Sequence, residues 1–119
     1  MELIIGGAYQ GKLTYAREKY ALKDTDICTC TAEEEPDVSR RCIRHLEEYV
    51  LGCLRRGEEP TLKFKKNAVL ICRDISAGIV PIDPEQRAWR EAVGRYLSAL
   101  AARADTVTRV FCGLPQQLK

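Results

Sequence analysis

Leu3-Ile4-Ile5-Gly6-Gly7-Ala8-Tyr9-Gln10-Gly11-Lys12 decides the reading of this chain. An apolar run that breaks into a glycine-rich turn and ends on a lysine is the pattern of a strand, a phosphate-gripping P-loop and a following helix. Backbone N–H groups in such a turn converge on phosphate oxygens, and the positive end of the helix dipole faces the same anion. Lys12 supplies a mobile positive charge for the outer phosphates. Gly6, Gly7, Ala8, Tyr9, Gln10, Gly11, Lys12, Leu13 and Thr14 are therefore the candidate nucleotide-binding residues, with ATP or GTP as the ligand. The pattern departs at one position: Ser or Thr ordinarily follows the lysine and offers a hydroxyl to Mg²⁺, and here that residue is Leu13. Thr14 is one residue late, and a neighbour on a helix points about 100° away, so it is not expected simply to substitute. The plainer alternative is a tight strand-to-helix turn carrying an exposed lysine.

Outward from the loop, apolar runs alternate with helical patterns, as in a parallel sheet flanked by helices. The first strand is residues 2–6 and the first helix runs from Lys12 to Ala21, with Leu13, Ala16 and Tyr20 on one face. A second strand is expected over Ile27–Thr31. The run Glu33-Glu34-Glu35-Pro36-Asp37 reads as a solvated connection, with a cation site as the alternative. A second helix is expected over Val38–Arg56, where Cys42, Leu46, Tyr49, Val50 and Cys53 form a 3.6-period stripe ending at Gly57. His45 falls beside that stripe and reads as a boundary or surface residue. Residues 58–67 form a polar, basic connector in which a phosphate-facing role for Lys63, Lys65 or Lys66 has no support from spacing.

The third strand, Ala68-Val69-Leu70-Ile71-Cys72, is continuously apolar, as a central parallel strand covered on both faces should be. It ends at Arg73-Asp74. Ligands of open α/β sheets gather at the carboxyl ends of strands, so Asp74 is the candidate catalytic carboxylate and Mg²⁺ ligand beside Lys12. The third helix is signalled by Asp83 as cap, Pro84 in the first turn and Gln86 three residues after the cap. Its stripe is Trp89, Val93, Leu97, Leu100 and Ala104. Thr106–Cys112 is the fourth strand, broken by Gly113-Leu114-Pro115, and the last four residues can return as a short antiparallel strand. The fold class is thus α/β and P-loop NTPase-like, a mainly parallel sheet of about four strands in a single domain over residues 1–119.

Composition narrows the function. The 119 residues carry a net charge of +2 with basic and acidic side chains interspersed, which gives nucleic-acid binding no footprint. No run approaches the roughly 18 apolar residues of a spanning helix; a cytoplasmic protein without a membrane partner is expected. Of the six cysteines, Cys28 and Cys30 are too close for a zinc knuckle, while Cys72 and Cys112 lie in apolar strand-like runs. Buried, reduced thiols are the expectation, with a metal or redox module as the alternative.

A further set of motifs occurs in a particular order: Gly6 to Lys12, Gly78-Ile79-Val80-Pro81, Arg87-Ala88-Trp89-Arg90-Glu91, Gly94-Arg95, Ala101-Ala102-Arg103-Ala104-Asp105 and Gly113-Leu114-Pro115. Together they resemble the adenosylcobinamide kinase/adenosylcobinamide-phosphate guanylyltransferase family of cobalamin biosynthesis, over residues 1–20 and 68–119. The resemblance implies a nucleotide-dependent kinase acting on a corrinoid small molecule, and a homo-oligomer, trimeric in that family. This chain departs from it in three places. Asp74 keeps the carboxylate at the strand end one methylene shorter, and Leu97-Ser98 replaces an Asn-Gln pair. The long middle segment that carries the family's guanylyl-accepting histidine has no room here. His45 does not inherit that role, and guanylyltransferase activity is not expected. Phosphoryl transfer from ATP or GTP to a corrinoid precursor or another small alcohol is the leading expectation; a noncatalytic nucleotide-binding or assembly module is the alternative.

Overall fold

The computed structural model describes residues 1–75 and 81–119; the motif residues Gly78, Ile79 and Val80 lie outside them. Six strands and three α-helices are present among the described residues: β1 (Glu2–Gly6), α1 (Lys12–Tyr20), β2 (Ile27–Thr29), β3 (Cys42–Arg44), α2 (Leu46–Arg56), β4 (Val69–Arg73), α3 (Pro84–Arg103), β5 (Thr106–Phe111) and β6 (Leu114–Gln117). They build one sheet in the order β2-β3-β4-β1-β5-β6. Every neighbouring pair is parallel except β5 and β6.

Alternation along the strands divides the core into two layers. Leu3, Ile43, Leu70, Cys72 and Val107 turn to one face, where they pack with Leu46, Val50 and Cys53 of α2 and Val93, Tyr96 and Leu100 of α3. Ile4, Cys42, Val69, Ile71 and Val110 turn to the other, against Ala16 of α1 and Leu22. Period-two alternation with apolar residues on both sides is what makes these strands read as unbroken apolar runs. The helix after β1 therefore covers one face and the helices after β3 and β4 the opposite one. The chain changes direction across the sheet beside β1, which is where the glycine-rich loop over residues 6–12 emerges.

The helix expected over Val38–Arg56 begins only at Leu46. Residues 42–44 are instead β3, with Cys42 opposite Val69 and Ile43 opposite Leu70. Cys42 and Ile43 are both fully buried, one in each core layer, a placement that a strand gives to consecutive residues and a helix does not. The short apolar run fitted either period, and the slot between β2 and β4 decided it. Other boundaries also move. Helix α1 ends at Tyr20, with Ala21 as a left-handed cap. Strand β2 stops at Thr29. The returning strand is Leu114–Gln117, joined to β5 by Cys112 and Gly113, both at positive φ as a two-residue hairpin turn requires. The start of α3 is as expected: Asp83 Oδ1 accepts the Glu85 N–H at 3.0 Å and Pro84 opens the helix.

One buried charge network secures β1. The Glu2 carboxylate, 4% exposed, accepts from Thr108 Oγ1 at 2.7 Å, from Lys19 Nζ at 3.2 Å and from the Tyr20 hydroxyl. Burial pushes its pKa up, but these three donors outweigh burial and hold it below the ordinary value. All six cysteines are free thiols. Cys30, Cys42, Cys53 and Cys72 are buried and Cys28 is half-buried; Cys112, expected inside, is exposed because it sits in the hairpin turn rather than in the strand.

Candidate functional site

The glycine-rich loop over residues 6–12 is held from three sides. Gly6 leaves β1 where an added Cβ would lie 2.5 Å from the Val110 carbonyl oxygen, so only glycine lets the chain pass β5 this closely. Its own carbonyl accepts the Asp74 N–H at 2.9 Å, tying the loop to the end of β4. Gln10 reaches the β5–β6 turn, where its carbonyl accepts the Gly113 N–H at 2.9 Å and its Oε1 the Cys112 N–H at 2.6 Å. Gly11 precedes α1 at φ 93°, a left-handed conformation. No side chain caps α1. The first N–H groups of the helix therefore face the pocket without an intrahelical partner.

A cavity of about 360 Å³ opens over this loop. The loop and helix residues Ala8 to Thr14 form one wall, and Arg44, His45, Glu47, Glu48 and Arg73 form the other. Adjacent parallel strands β3 and β4 end at Arg44 and Arg73. The same sheet edge thus delivers two guanidinium groups and the glycine-rich loop to one pocket. Lys12 donates from Nζ to the Gly7 carbonyl within the loop. Burial lowers its pKa first; Glu47 opposes that shift, while Arg73 and Arg44 reinforce it.

Glu47 lies at the back of the pocket and is only 3% exposed. Its Oε1 accepts the Arg73 N–H at 2.9 Å, and its carbonyl accepts Trp89 Nε1–H at 2.8 Å. It thus ties the start of α2 to the end of β4 and to α3. His45 turns the chain from β3 into α2 at φ 58°, and its Nε2 lies 2.9 Å from Arg44 Nη2. Burial and then Arg44 lower its pKa below 6.5, against the weaker pull of Glu47 and Glu48. A guanidinium can only donate, so Nε2 is the accepting nitrogen of an uncharged ring in this contact.

Asp74 lines a second cavity, of about 310 Å³, together with Gln86, Trp89 and Arg90. The two cavities share Ala8 and Arg73. The loop, Lys12, Leu13 and Thr14 are thus gathered as the sequence suggests, and Asp74 stands one compartment away. Arg44, Glu47 and Arg73 also line this cavity without being marked in the sequence, and His45, expected at a boundary or the surface, is half-buried in its wall. Reading residues 42–44 as a strand would have brought Arg44 and His45 to the carboxyl edge beside the loop.

The position that ordinarily presents a metal-binding hydroxyl is filled by Leu13, which packs partly buried against the core layer under α1. Thr14 reaches the cavity rim from an exposed position. Among the described residues no group of three or more His, Cys, Asp or Glu side chains is gathered as a metal site. The hydroxyl that ordinarily ligates Mg²⁺ beside such a loop is therefore missing here, and Glu47 and Glu48 are the carboxylates that line the cavity.

Sheet order, switch point and loop together define a mostly parallel α/β protein of P-loop-like architecture. A family model described as cobinamide kinase / cobinamide phosphate guanyltransferase matches residues 47–118, from Glu47 through β6, and the chain belongs to that family. The matched span begins after the glycine-rich loop and covers α2 from its second residue, β4, Asp74, α3 and the C-terminal hairpin. No curated protein matches the chain. Among the described residues no helix is long and apolar enough to cross a membrane.

Proposed function

We propose that the chain binds ATP or GTP through residues 6–14 and transfers the terminal phosphoryl group to a hydroxyl of cobinamide or a related small alcohol. The observation that carries this reading is the pair of cavities sharing Ala8 and Arg73, one over the P-loop and one lined by Asp74. The N–H groups of the loop and of the first turn of α1 grip the phosphates, and Lys12 neutralises the outer one. The acceptor lies in the neighbouring compartment with its hydroxyl toward Arg73. As its oxygen bonds to the γ-phosphorus, the bond to the β-phosphate oxygen breaks, the nucleoside diphosphate departs with that electron pair, and the hydroxyl proton passes to the Asp74 carboxylate. Positioning and charge neutralisation supply most of the acceleration in such a transfer. Loss of the guanylyltransferase step follows from the short middle of the chain.

Incubating the protein with cobinamide and each nucleotide should yield cobinamide heavier by one phosphoryl group in mass spectrometry. Lys12→Ala should abolish that product and weaken nucleotide binding in calorimetry while leaving the thermal unfolding midpoint in place, since Lys12 faces the cavity rather than the core. Leu13 favours a second reading, a nucleotide-binding module without chemistry. Tight nucleotide binding with no product from any alcohol tested would select it. Absence of nucleotide binding would rule out both.

A further inference from the structure

We infer that Arg44 and Arg73 stand in for the divalent cation in this pocket, so that the nucleotide binds as its metal-free polyphosphate anion. The inference rests on the nucleotide reading above and specifies how that site balances charge. A triphosphate brings three to four negative charges, which a P-loop ordinarily shares between its lysine and an Mg²⁺ held by the next residue's hydroxyl. Here Leu13, partly buried against the core layer under α1, offers no such ligand to the cavity it lines. The same cavity receives two guanidinium groups from the ends of adjacent strands.

Their placement suits the task. Guanidinium is always charged and matches phosphate oxygens in a bidentate fork. Arg44 is oriented by His45, 2.9 Å away, and neutral His45 adds no competing charge. Arg73 is exposed, its backbone anchored on Glu47 so that the side chain starts from a fixed point at the junction of the two cavities. The carboxylates are also two, Glu47 and Glu48. Glu47 sits behind Lys12, buried and already accepting the Arg73 N–H, so it compensates the lysine in the absence of ligand. Three cations drawn to one opening repel one another, and an anion with several charges relieves that repulsion. Mg²⁺ would enter beside these three cations without a hydroxyl at the usual position, and of the two carboxylates Glu47 is already engaged by the Arg73 N–H, which leaves Glu48.

Calorimetric titration of ATP and GTP, each in Mg²⁺ buffer and in EDTA, tests this on the wild type and on Arg44→Gln, Arg73→Gln, Lys12→Ala and Thr14→Ala. The wild type should bind with affinities within about threefold of each other in the two buffers. Each arginine variant should lose roughly tenfold to a hundredfold in EDTA, the usual effect of deleting a charged hydrogen-bond donor. Mg²⁺ should restore part of that loss, a response that a purely structural role would not produce. Arg44→Lys and Arg73→Lys should recover an intermediate affinity, which also separates lost charge from misfolding. Wild-type binding seen only with Mg²⁺, or Mg²⁺-dependent binding that Thr14→Ala removes, would overturn the inference and leave the nucleotide reading standing. Metal-independent binding indifferent to both arginines would overturn it equally. No binding in either buffer would overturn the nucleotide reading itself.

Discussion

His45 shows how a single residue changes meaning with its element. Beside a helical stripe it is a boundary or surface histidine. At the turn from β3 to α2, with φ 58° and Arg44 against its ring, it lines the cavity over the glycine-rich loop. Its pKa in the folded protein is below 6.5, lowered by burial and then by Arg44. Below pH 6.5 the unfolded chain therefore holds more protons than the folded one. The His45 contribution to stability is fully present above that pH and is lost as pH falls through 6.5 toward the folded pKa. A bound polyphosphate reverses the local balance by favouring the imidazolium. Nucleotide binding should then take up a proton near pH 6, visible as calorimetric heats that differ between buffers of different ionisation enthalpy. His45→Gln should remove that part of the uptake, leaving only what the phosphates themselves contribute; identical uptake in wild type and variant would refute the assignment. Lys12 was legible in the sequence because its loop is contiguous. His45, Arg44 and Arg73 were not, because their meeting depends on a strand three residues long.

The elements themselves were legible in proportion to how much of their signal is local. Helix α3 announces itself through Asp83, Pro84 and a long stripe, and β4 through five consecutive apolar residues. Strand β3 carries no local signal beyond Cys42-Ile43, and the sheet alone decides between strand and helix there. Helix α2 hides a similar dependence at Gly52. Ranked by helix propensity, Gly52→Ala should stabilise an exposed helix by about 1 kcal/mol. In this fold the added methyl carbon would lie 2.3 Å from the Ala32 carbonyl oxygen and 3.0 Å from its carbon. Both are backbone atoms, so relief requires moving α2 or the segment after β2. Gly52→Ala should therefore destabilise the protein by about 1–3 kcal/mol, the usual cost of overpacking. Thermal and urea unfolding give the sign, and a variant more stable than wild type would show that α2 does not approach Ala32 this closely.

Across the whole molecule, three layers put most thiols out of reach of solvent, and the exception follows from topology rather than from composition. Cys30 and Cys42 are buried deeply enough that desolvation lifts their pKa values to about 12 and about 11. Cys72, between Ile71 and Arg73 on central β4, is pushed well above its ordinary value by burial and then by Glu47 and Asp74. Such thiols are protonated at neutral pH as well as shielded, and only the thiolate attacks. Cys53 is buried between α2 and its neighbours, and half-buried Cys28 accepts the Asp37 N–H at 3.3 Å. Cys112 reads as one more strand cysteine in the sequence, since Val110-Phe111-Cys112 continues an apolar run. The chain reverses at that point, which lifts Cys112 to φ 51° and into solvent at the far end of the hairpin. A maleimide added to the native protein should accordingly consume one thiol quickly, Cys28 more slowly, and the other four only after denaturant. Cys112→Ser should erase the fast phase without shifting the unfolding midpoint, because an exposed turn side chain contributes little packing. Peptide mapping of the fast-labelled product decides the matter. Fast modification at Cys30, Cys42, Cys53 or Cys72 would mean that the two-layer core opens on the labelling timescale, and a fast phase surviving in Cys112→Ser would mean that the hairpin turn is elsewhere.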